Sequence, residues 1–320
     1  MPAAPLPPDR HRPLLHVVLR TTPGENRKNR PAWYTKDRCI ASVLIAVQRA
    51  RAQGIDVRVT AIVDISSGRR MPAAVTALLD HVDAIVAVRG GTAARSWRPA
   101  LRAVRRHLAP AGDDLIYLVE DDHLHRPDAL THLVDGGDDY RLLYALASEH
   151  GAIVDRGDGW AHVPGGTSTF AVRGDAFRAD AWRHVLMSYG GGAWDELSWR
   201  ILGSHVTPPG LGYVRAALTR TERWPRPWGL RPLRHAAFRL LCLALARRDP
   251  RSIGLRTPIQ ATHCEHDMLA DTADWAELAY AMDDAVAALR EDTVTGPVPV
   301  LGTSRRAARS LAQVLSSAAH

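Results

Sequence analysis

The stretch from Leu115 to Pro127 reads LIYLVEDDHLHRP and places three consecutive acids directly after five apolar residues. An apolar run of this length is typical of a buried strand in a parallel sheet. Clustered like charges repel one another, so Glu120, Asp121 and Asp122 need a physical reason to follow a buried strand. In open parallel sheets, ligands bind beyond the carboxyl ends of the strands. The stretch therefore predicts a parallel sheet with a binding site at its edge.

The chain before this stretch alternates between strand and helix patterns. Apolar, strand-like runs are LLHVVLRTT (14–22), VRVTAIVDI (57–65) and DAIVAV (83–88). Segments with apolar residues at helical spacing follow each of them, beginning near residues 37, 72 and 92. Such alternation predicts an α/β fold: a Rossmann-type, mostly parallel sheet with helices on both faces.

Beyond residue 140 this rhythm changes. Two strand-like pieces, RLLYALAS (141–148) and GTSTFAV (166–172), are separated by glycine-rich turns, and helical patterns follow near 175–188, 194–202 and 272–291. The sequence contains neither an internal repeat nor a sharp linker. A single compact domain is the simplest prediction.

The charge balance of the chain is strongly basic. The 320 residues carry a formal net charge of +7, and only Lys28 and Lys36 are lysines, so 39 of the 41 basic residues are arginine (41 − 2). This balance favours an anionic partner such as a nucleotide, a nucleic acid or a membrane surface. The alternative is a generally basic surface that reflects an arginine-rich composition.

The cysteines and the chain ends limit the possible classes of protein. Cys39, Cys242 and Cys264 are widely spaced and form no C-x-x-C motif, which argues against a disulfide framework or a zinc ribbon.

The proline-rich residues 1–13 lack the apolar core of a signal peptide and predict a disordered tail. The apolar run 240–246 is too short to span a bilayer. We expect a cytoplasmic protein, with peripheral association with a membrane as the alternative.

The acidic cluster has three chemical interpretations. It holds a divalent metal, it forms a catalytic carboxylate pair, or it is a solvated helix start, because acids favour helix N-termini. In an extended chain, Glu120 and Asp122 would project from the same face. Carboxylates at a strand end suit Mn²⁺ or Mg²⁺, which bind carboxylate and phosphate oxygens together.

Five segments occur in an order that resembles one enzyme family, the glycosyltransferases of the GT-A fold, in particular their inverting family-2 type. The resemblance covers roughly residues 14–205. Its segments are RVTAIVD, VRGGTAARSWRPALRAV, LIYLVEDDHLHRPDAL, GGTSTFAVRGDAF and WDELSWRI. Glu120 stands where the family has its first metal-binding aspartate.

The resemblance implies a metal-dependent transfer from a nucleotide-sugar donor, most simply a UDP-sugar, to an acceptor hydroxyl with inversion. It implies a metal ion, Mn²⁺ or Mg²⁺, held by Glu120, Asp122 and a later histidine, for which we choose His263 over His266. The carboxylate that takes the acceptor proton is Asp195, with the adjacent Glu196 as the alternative. The residues expected to contact the donor are Thr21, Asp64, Gly91, Arg95 and Asp121.

The resemblance also suggests how the chain is organised. Residues 14–135 would form the nucleotide-sugar-binding half, 136–270 the acceptor-binding and catalytic half, and 271–320 the C-terminal helices. The second half includes a basic segment rich in Pro, Trp and Arg, 208–256.

The expected acceptor is a small molecule, a glycan or a lipid-linked molecule. Phe238, Leu241 and Leu245 recur at helical spacing among arginines, so 231–251 is interpreted as a peripheral contact with an anionic membrane surface, with a lid over the diphosphate and a solvated basic helix as the alternatives. No nucleic acid partner is expected. Two alternative functions stay open: a nucleotidyltransferase that makes a nucleotide-sugar, and a non-catalytic basic module that binds a membrane or nucleic acid.

Overall fold

The computed structural model describes residues 13–25, 28–146, 153–190, 194–203, 231–271, 273–292, 296–301 and 305–316. The expected tail 1–13 and the Pro/Trp/Arg-rich residues 208–230 therefore lie almost wholly outside the described residues. The strands are β1 (Leu15–Thr21), β2 (Val57–Asp64), β3 (Ala84–Val88), β4 (Leu115–Glu120), β5 (His123–His125), β6 (Tyr140–Leu142), β7 (Val154–Asp155), β8 (Trp160–His162), β9 (Phe170–Arg173), β10 (Ile253–Arg256) and β11 (Ala261–His263).

Most helices follow the apolar spacing seen in the sequence. They are α1 (Lys36–Ala52), α2 (Ala73–Leu79), α3 (Ala93–Ala103), α4 (Ala129–Asp135), α5 (Gly174–Met187), α6 (Trp194–Leu202), α7 (Arg231–Leu245), α8 (Trp275–Glu291) and α9 (Arg305–Leu315). A five-residue π-helix, Val104–Leu108, continues α3, and a 3₁₀ turn covers His266–Met268.

The central sheet has nine strands in the order β3-β2-β1-β4-β9-β6-β10-β8-β7. The first four of these are parallel to one another, and β6 and β10 are parallel to each other. Strand β9 runs antiparallel between β4 and β6. The predicted α/β fold, with a large, Rossmann-type, mostly parallel sheet, is confirmed.

Helices cover both faces of this sheet. The crossover from β1 to β2 and the crossover from β3 to β4 run in opposite directions along the strand order, so right-handed connections place α1 and α3 on opposite faces. Helix α1 packs against α2, α4 and α8, whereas α3 packs against α5. All seven residues of β1 are buried, as expected for a strand with a helix layer on each side.

One continuous hydrophobic core joins the two halves of the chain. It extends from Leu15 in β1 through Phe170 in β9 to Trp275 in α8 and Val314 in α9. Because apolar burial dominates folding stability, a shared core makes these elements one domain.

The apolar face of α7 is used inside the protein. Phe238, Leu241 and Leu245, which the sequence assigned to a membrane contact, pack against a cluster formed by Met187, Leu197, Ile201 and Cys242. The outward apolar residues of this helix are instead Leu240 and Leu243. Among the residues that the structure describes, no helix is long and apolar enough to cross a membrane.

A buried carboxylate fixes α5 to the segment that follows α7. Asp180 is fully buried and forms ion pairs with Arg183, Arg247 and Arg251, at 3.0, 2.8 and 2.7 Å. The hydroxyl of Tyr140 in β6 also donates to this carboxylate. A buried charge that loses its partners is strongly destabilising, so this network fixes the second half of the domain.

We predict that Asp180→Asn lowers the free energy of unfolding by about 3 kcal/mol, because three guanidinium groups lose their shared counter-charge. Urea unfolding at neutral pH measures the change. The matched control is Asp175→Asn in the same helix, where the carboxylate is half exposed, and its cost should stay below about 1 kcal/mol. Equal effects of the two substitutions would contradict the assigned role of Asp180.

Candidate functional site

The acidic cluster lies in a cleft at the carboxyl ends of β1, β2 and β4. The cleft has a volume of about 310 Å³, which is at the lower end of the range for ligand sites. Its walls come from the ends of these three strands and from the first turn of α3. The lining residues include Arg20, Thr21, Asp64, Ser66, Gly91, Thr92, Ser96, Glu120, Asp121 and Asp122.

Asp64 shapes one wall of this cleft. Its carboxylate accepts hydrogen bonds from the backbone N–H groups of Gly90 and Gly91, at 3.2 and 2.8 Å, and from the hydroxyl of Ser66 at 2.6 Å. Gly91 has φ +78°, and a Cβ on Gly90 would lie 2.3 Å from the backbone of Ser96. The two glycines thus allow the loop to lie close against α3. A contact between Asp64 and a donor stays a prediction.

Glu120 ends β4 and forms an ion pair with Arg20 of β1. The guanidinium of Arg20 stacks over the ring of Trp97, 5.0 Å from its centre. The hydroxyl of Ser168 donates to the second oxygen of Glu120. The chain turns immediately after Glu120, so Glu120 and Asp122 do not lie in one extended segment. The expectation that their side chains project from the same face of a strand therefore does not apply.

Asp121 binds the end of β1. Its carboxylate accepts a hydrogen bond from the Thr21 hydroxyl at 2.6 Å and pairs with the Lys36 ammonium at 3.1 Å. Lys36 also donates to the carbonyls of Thr22 and Gly24. Burial raises the pKa of Asp121, and the Lys36 charge opposes that change. The predicted donor contacts Thr21 and Asp121 therefore bind each other and fix the loop that follows β1.

Asp122, His123 and His263 converge on one point beside the cleft. His123 Nδ1 lies 3.1 Å from Asp122 Oδ1, and His263 Nε2 lies 3.1 Å from Asp122 Oδ2. All three side chains are buried, and they offer ligand atoms within 4.8 Å of one another. The antiparallel pairing of β5 with β11 places His263 opposite His123, although the two are far apart in sequence.

The protonation of Asp122 and His123 suits a metal ion. Burial alone would raise the pKa of Asp122, but hydrogen bonds from His123 and His263 hold it well below its usual range. Burial lowers the pKa of His123, which favours the neutral imidazole. Metal ligands need an ionised carboxylate and neutral imidazoles. Nε2 of His123 is buried without a hydrogen-bond partner, so this ring has a nitrogen to spare for a ligand.

Two basic residues of the loop after β1 reach the same carboxylate. Arg30 donates to Asp122 Oδ2 at 2.8 Å and to the carbonyl of Cys264 at 2.7 Å. Lys28 pairs with Glu265 at 2.9 Å and lies 4.0 Å from Asp122. Basic groups beside a carboxylate–imidazole cluster are suited to phosphate oxygens.

Asp195 and Glu196, in the first turn of α6, have different surroundings. Burial raises the pKa of Asp195 to about 6, and the negative charge of Glu120 adds to the rise. Glu196 instead pairs with Arg200 and Arg239, at 2.7 and 3.1 Å. One acid thus experiences the charge of the cleft residue Glu120, whereas the other is neutralised by arginines.

The structure brings most of the predicted residues together. Thr21, Asp64, Gly91 and the acids 120–122 line one cleft, with His263 bound to Asp122. Arg95 is the exception among the predicted donor contacts: it is exposed on α3 and does not line the cleft.

Sequence reasoning missed several residues of the site, namely Arg20, Lys28, Arg30, His123 and Ser168. The basic run 27–30 was visible in the sequence, but only the fold shows which acids it meets. Similarly, the i,i+4 spacing of Glu196 and Arg200 was a signal that Glu196 forms an ion pair.

Comparison with known proteins adds only a weak similarity of fold. No family model matches the chain, and no curated protein is similar to it. A solved structure described as 4-diphosphocytidyl-2C-methyl-D-erythritol synthase is 15% identical, with a TM-score of 0.34 over 61% of this chain and 86% of that chain. A similarity of this size carries no functional argument.

We predict that the protein binds Mn²⁺ without any nucleotide, through Asp122, His123 and His263. Asp122→Ala and His263→Gln should each weaken Mn²⁺ binding at least about 100-fold, because even outer ligand partners contribute 10–100-fold. Isothermal titration calorimetry measures the affinity, and circular dichroism verifies the fold. The control is His266→Gln on the exposed neighbouring turn, which should bind Mn²⁺ like the wild type. Full Mn²⁺ affinity in Asp122→Ala would contradict the site.

Proposed function

We propose that the protein is a metal-dependent glycosyltransferase that moves a sugar from a nucleotide-sugar, most simply a UDP-sugar, to an acceptor hydroxyl. The observation that carries the proposal is a pair of acids whose pKa values are shifted in opposite directions near one cleft. Asp122, in a candidate set of metal ligands, has a pKa held well below its usual range, and the pKa of Asp195 is raised to about 6 by burial and by the nearby charge of Glu120. An ionised acid that holds a metal suits stabilisation of the leaving group, and an acid with a raised pKa suits proton transfer.

The donor diphosphate lies, in this proposal, beside the triad. Asp122, His123 and His263 hold the metal, and a set of two imidazoles and one carboxylate favours Mn²⁺ over Mg²⁺. When bound, the ion supplies Lewis-acid stabilisation of the leaving nucleoside diphosphate. Lys28 and Arg30 contribute further positive charge to the phosphate oxygens. We assign Glu120 to its partner Arg20 rather than to the metal, because it lies outside the group of ligand atoms that Asp122, His123 and His263 form.

The nucleoside part of the donor would occupy the cleft between the ends of β1 and β2. The Gly90–Gly91 turn, held by Asp64, forms its wall and exposes backbone there. Thr21 and Thr22 supply small polar side chains from β1. We expect that Asp64 acts mainly by holding this turn, with any direct contact to the ribose or base in addition.

Asp195 is the general base of the proposed reaction. A base works best when its pKa lies near the operating pH, and a pKa of about 6 leaves this carboxylate ionised at neutral pH. It takes the proton of the acceptor hydroxyl while that oxygen attacks the anomeric carbon. A single displacement of this kind inverts the configuration at that carbon.

We predict that Asp195→Asn lowers the rate of transfer by two to four orders of magnitude, the usual contribution of a general base, roughly 10²–10⁴-fold. Wild-type kcat should rise as pH increases through about 6, as the carboxyl loses its proton, and the residual rate of the variant should lack this rise. The matched control is Glu196→Gln, which removes an arginine-bound acid and should reduce the rate far less. Retention of transfer by both variants would exclude base catalysis from this helix.

The reaction products distinguish glycosyl transfer from the two alternative functions. Incubation with a panel of UDP-, GDP- and CDP-sugars and Mn²⁺ should release a nucleoside diphosphate. A nucleotidyltransferase would instead release pyrophosphate from a nucleoside triphosphate and a sugar phosphate. A non-catalytic binding module would release neither. Only the first result supports the proposal.

A further inference from the structure

A row of arginines leads away from the cleft along α3. Arg95, Arg98 and Arg102 fall within about 60° of one another around α3, at 100° per residue. Arg105 and Arg106 are exposed in the π-helix that continues α3, and the five residues are here called the arginine ridge. The sixteen residues 93–108 contain no acid. Among the described residues, none of the five guanidinium groups forms an ion pair with a carboxylate. The ridge is therefore an uncompensated strip of positive charge.

Helix α5 extends this strip into a broader face. It runs antiparallel to α3, because Arg178 near its start binds the carbonyl of Pro110 at 2.5 Å, and Tyr189 just after its end meets Arg98. The guanidinium of Arg98 stacks over the Tyr189 ring at 3.9 Å. Trp182 lies between these contacts, and both aromatic side chains are nearly half exposed, at 45% and 47%. The face thus combines arginines with two exposed aromatic rings.

One helix on the opposite side of the sheet carries the reverse charge. Helix α8, which packs on α1 across the sheet, carries four acids and one arginine: Glu277, Asp283, Asp284, Glu291 and Arg290. The arginine ridge and helix α8, on opposite faces of the sheet, therefore differ in the sign of their charge. The charge distribution gives the protein one preferred orientation toward an anionic surface.

We propose that the arginine ridge, together with Trp182 and Tyr189, docks the protein onto an anionic phospholipid bilayer. Arginines near such a surface are attracted to anionic headgroups, and exposed Trp and Tyr prefer the interfacial region. The first turn of α3 lines the cleft, so docking through this helix places the cleft at the headgroup level.

The geometry favours a lipid surface over a single-stranded nucleic acid. Nucleic acid of that kind binds in a basic groove, with its bases stacked on open aromatic faces. Here the basic face is the outside of a helix pair. In addition, one face of each ring is already covered by a guanidinium, Arg98 over Tyr189 and Arg183 over Trp182 at 4.4 Å.

The test is co-sedimentation of the full chain with phosphatidylcholine vesicles that contain or lack phosphatidylglycerol. The wild type should bind only the anionic vesicles, and high salt should release it. The triple variant Arg102→Glu/Arg105→Glu/Arg106→Glu should lower the partition coefficient at least about tenfold, since each basic residue near the surface contributes to binding. These three residues are exposed and lie outside the cleft, so the fold is retained.

The matched control reverses three exposed arginines elsewhere: Arg58→Glu/Arg248→Glu/Arg290→Glu. It changes the net charge equally and should keep vesicle binding within a fewfold of the wild type. Equal loss in both triple variants would mean that net charge, and no particular face, drives binding, and would overturn the proposal. Absence of vesicle binding, with or without ridge-dependent binding of an oligothymidylate, would overturn it as well. None of these outcomes depends on whether the cleft transfers a sugar.

Discussion

The structure depends on the compensation of three consecutive negative charges at the end of a buried strand. Each acid takes its partners from a different part of the chain. Glu120 pairs with Arg20 in β1, Asp121 binds Thr21 and Lys36 at the start of α1, and Asp122 binds His263 in β11 together with Arg30. Unpaired charges at these depths cost several kcal/mol each, so these contacts require the strand ends and the loops around them to meet at one place.

These contacts also explain why the site contains residues distant in sequence. The β5–β11 pairing that brings His263 to His123 continues into the backbone bond from Cys264 N–H to the carbonyl of Asp122. Beneath it, the thiols of Cys39 in α1 and Cys264 lie 3.6 Å apart and are buried. Helix α1 is thus fixed against the candidate metal ligands from below, while Arg30 and Lys28 approach from the loop.

Local pattern was sufficient for the first half of the fold. Apolar runs predicted β1 to β4, and apolar residues at helical spacing predicted α1 and α3. These patterns are clear because the elements are long, each helix buries one stripe of side chains, and each strand is buried on both faces. The three-residue strands β5 and β11 carry no such pattern, so the partnership of His123 with His263 was not visible. The interpretation of Phe238, Leu241 and Leu245 as a membrane face failed for a related reason. An apolar stripe predicts that one face of a helix is buried, but it does not show whether protein or lipid covers that face.

The central claim is that Asp122, His123 and His263 hold the metal that binds a nucleoside diphosphate, and titration of UDP into the protein by calorimetry tests it most directly. With Mn²⁺ present, we expect saturable binding of UDP, and chelation of the metal should weaken that binding by an order of magnitude or more, roughly what loss of one strong charge-assisted contact produces. If UDP binds equally tightly in excess EDTA, Lys28 and Arg30 are sufficient for the diphosphate, and the metal-dependent account is wrong.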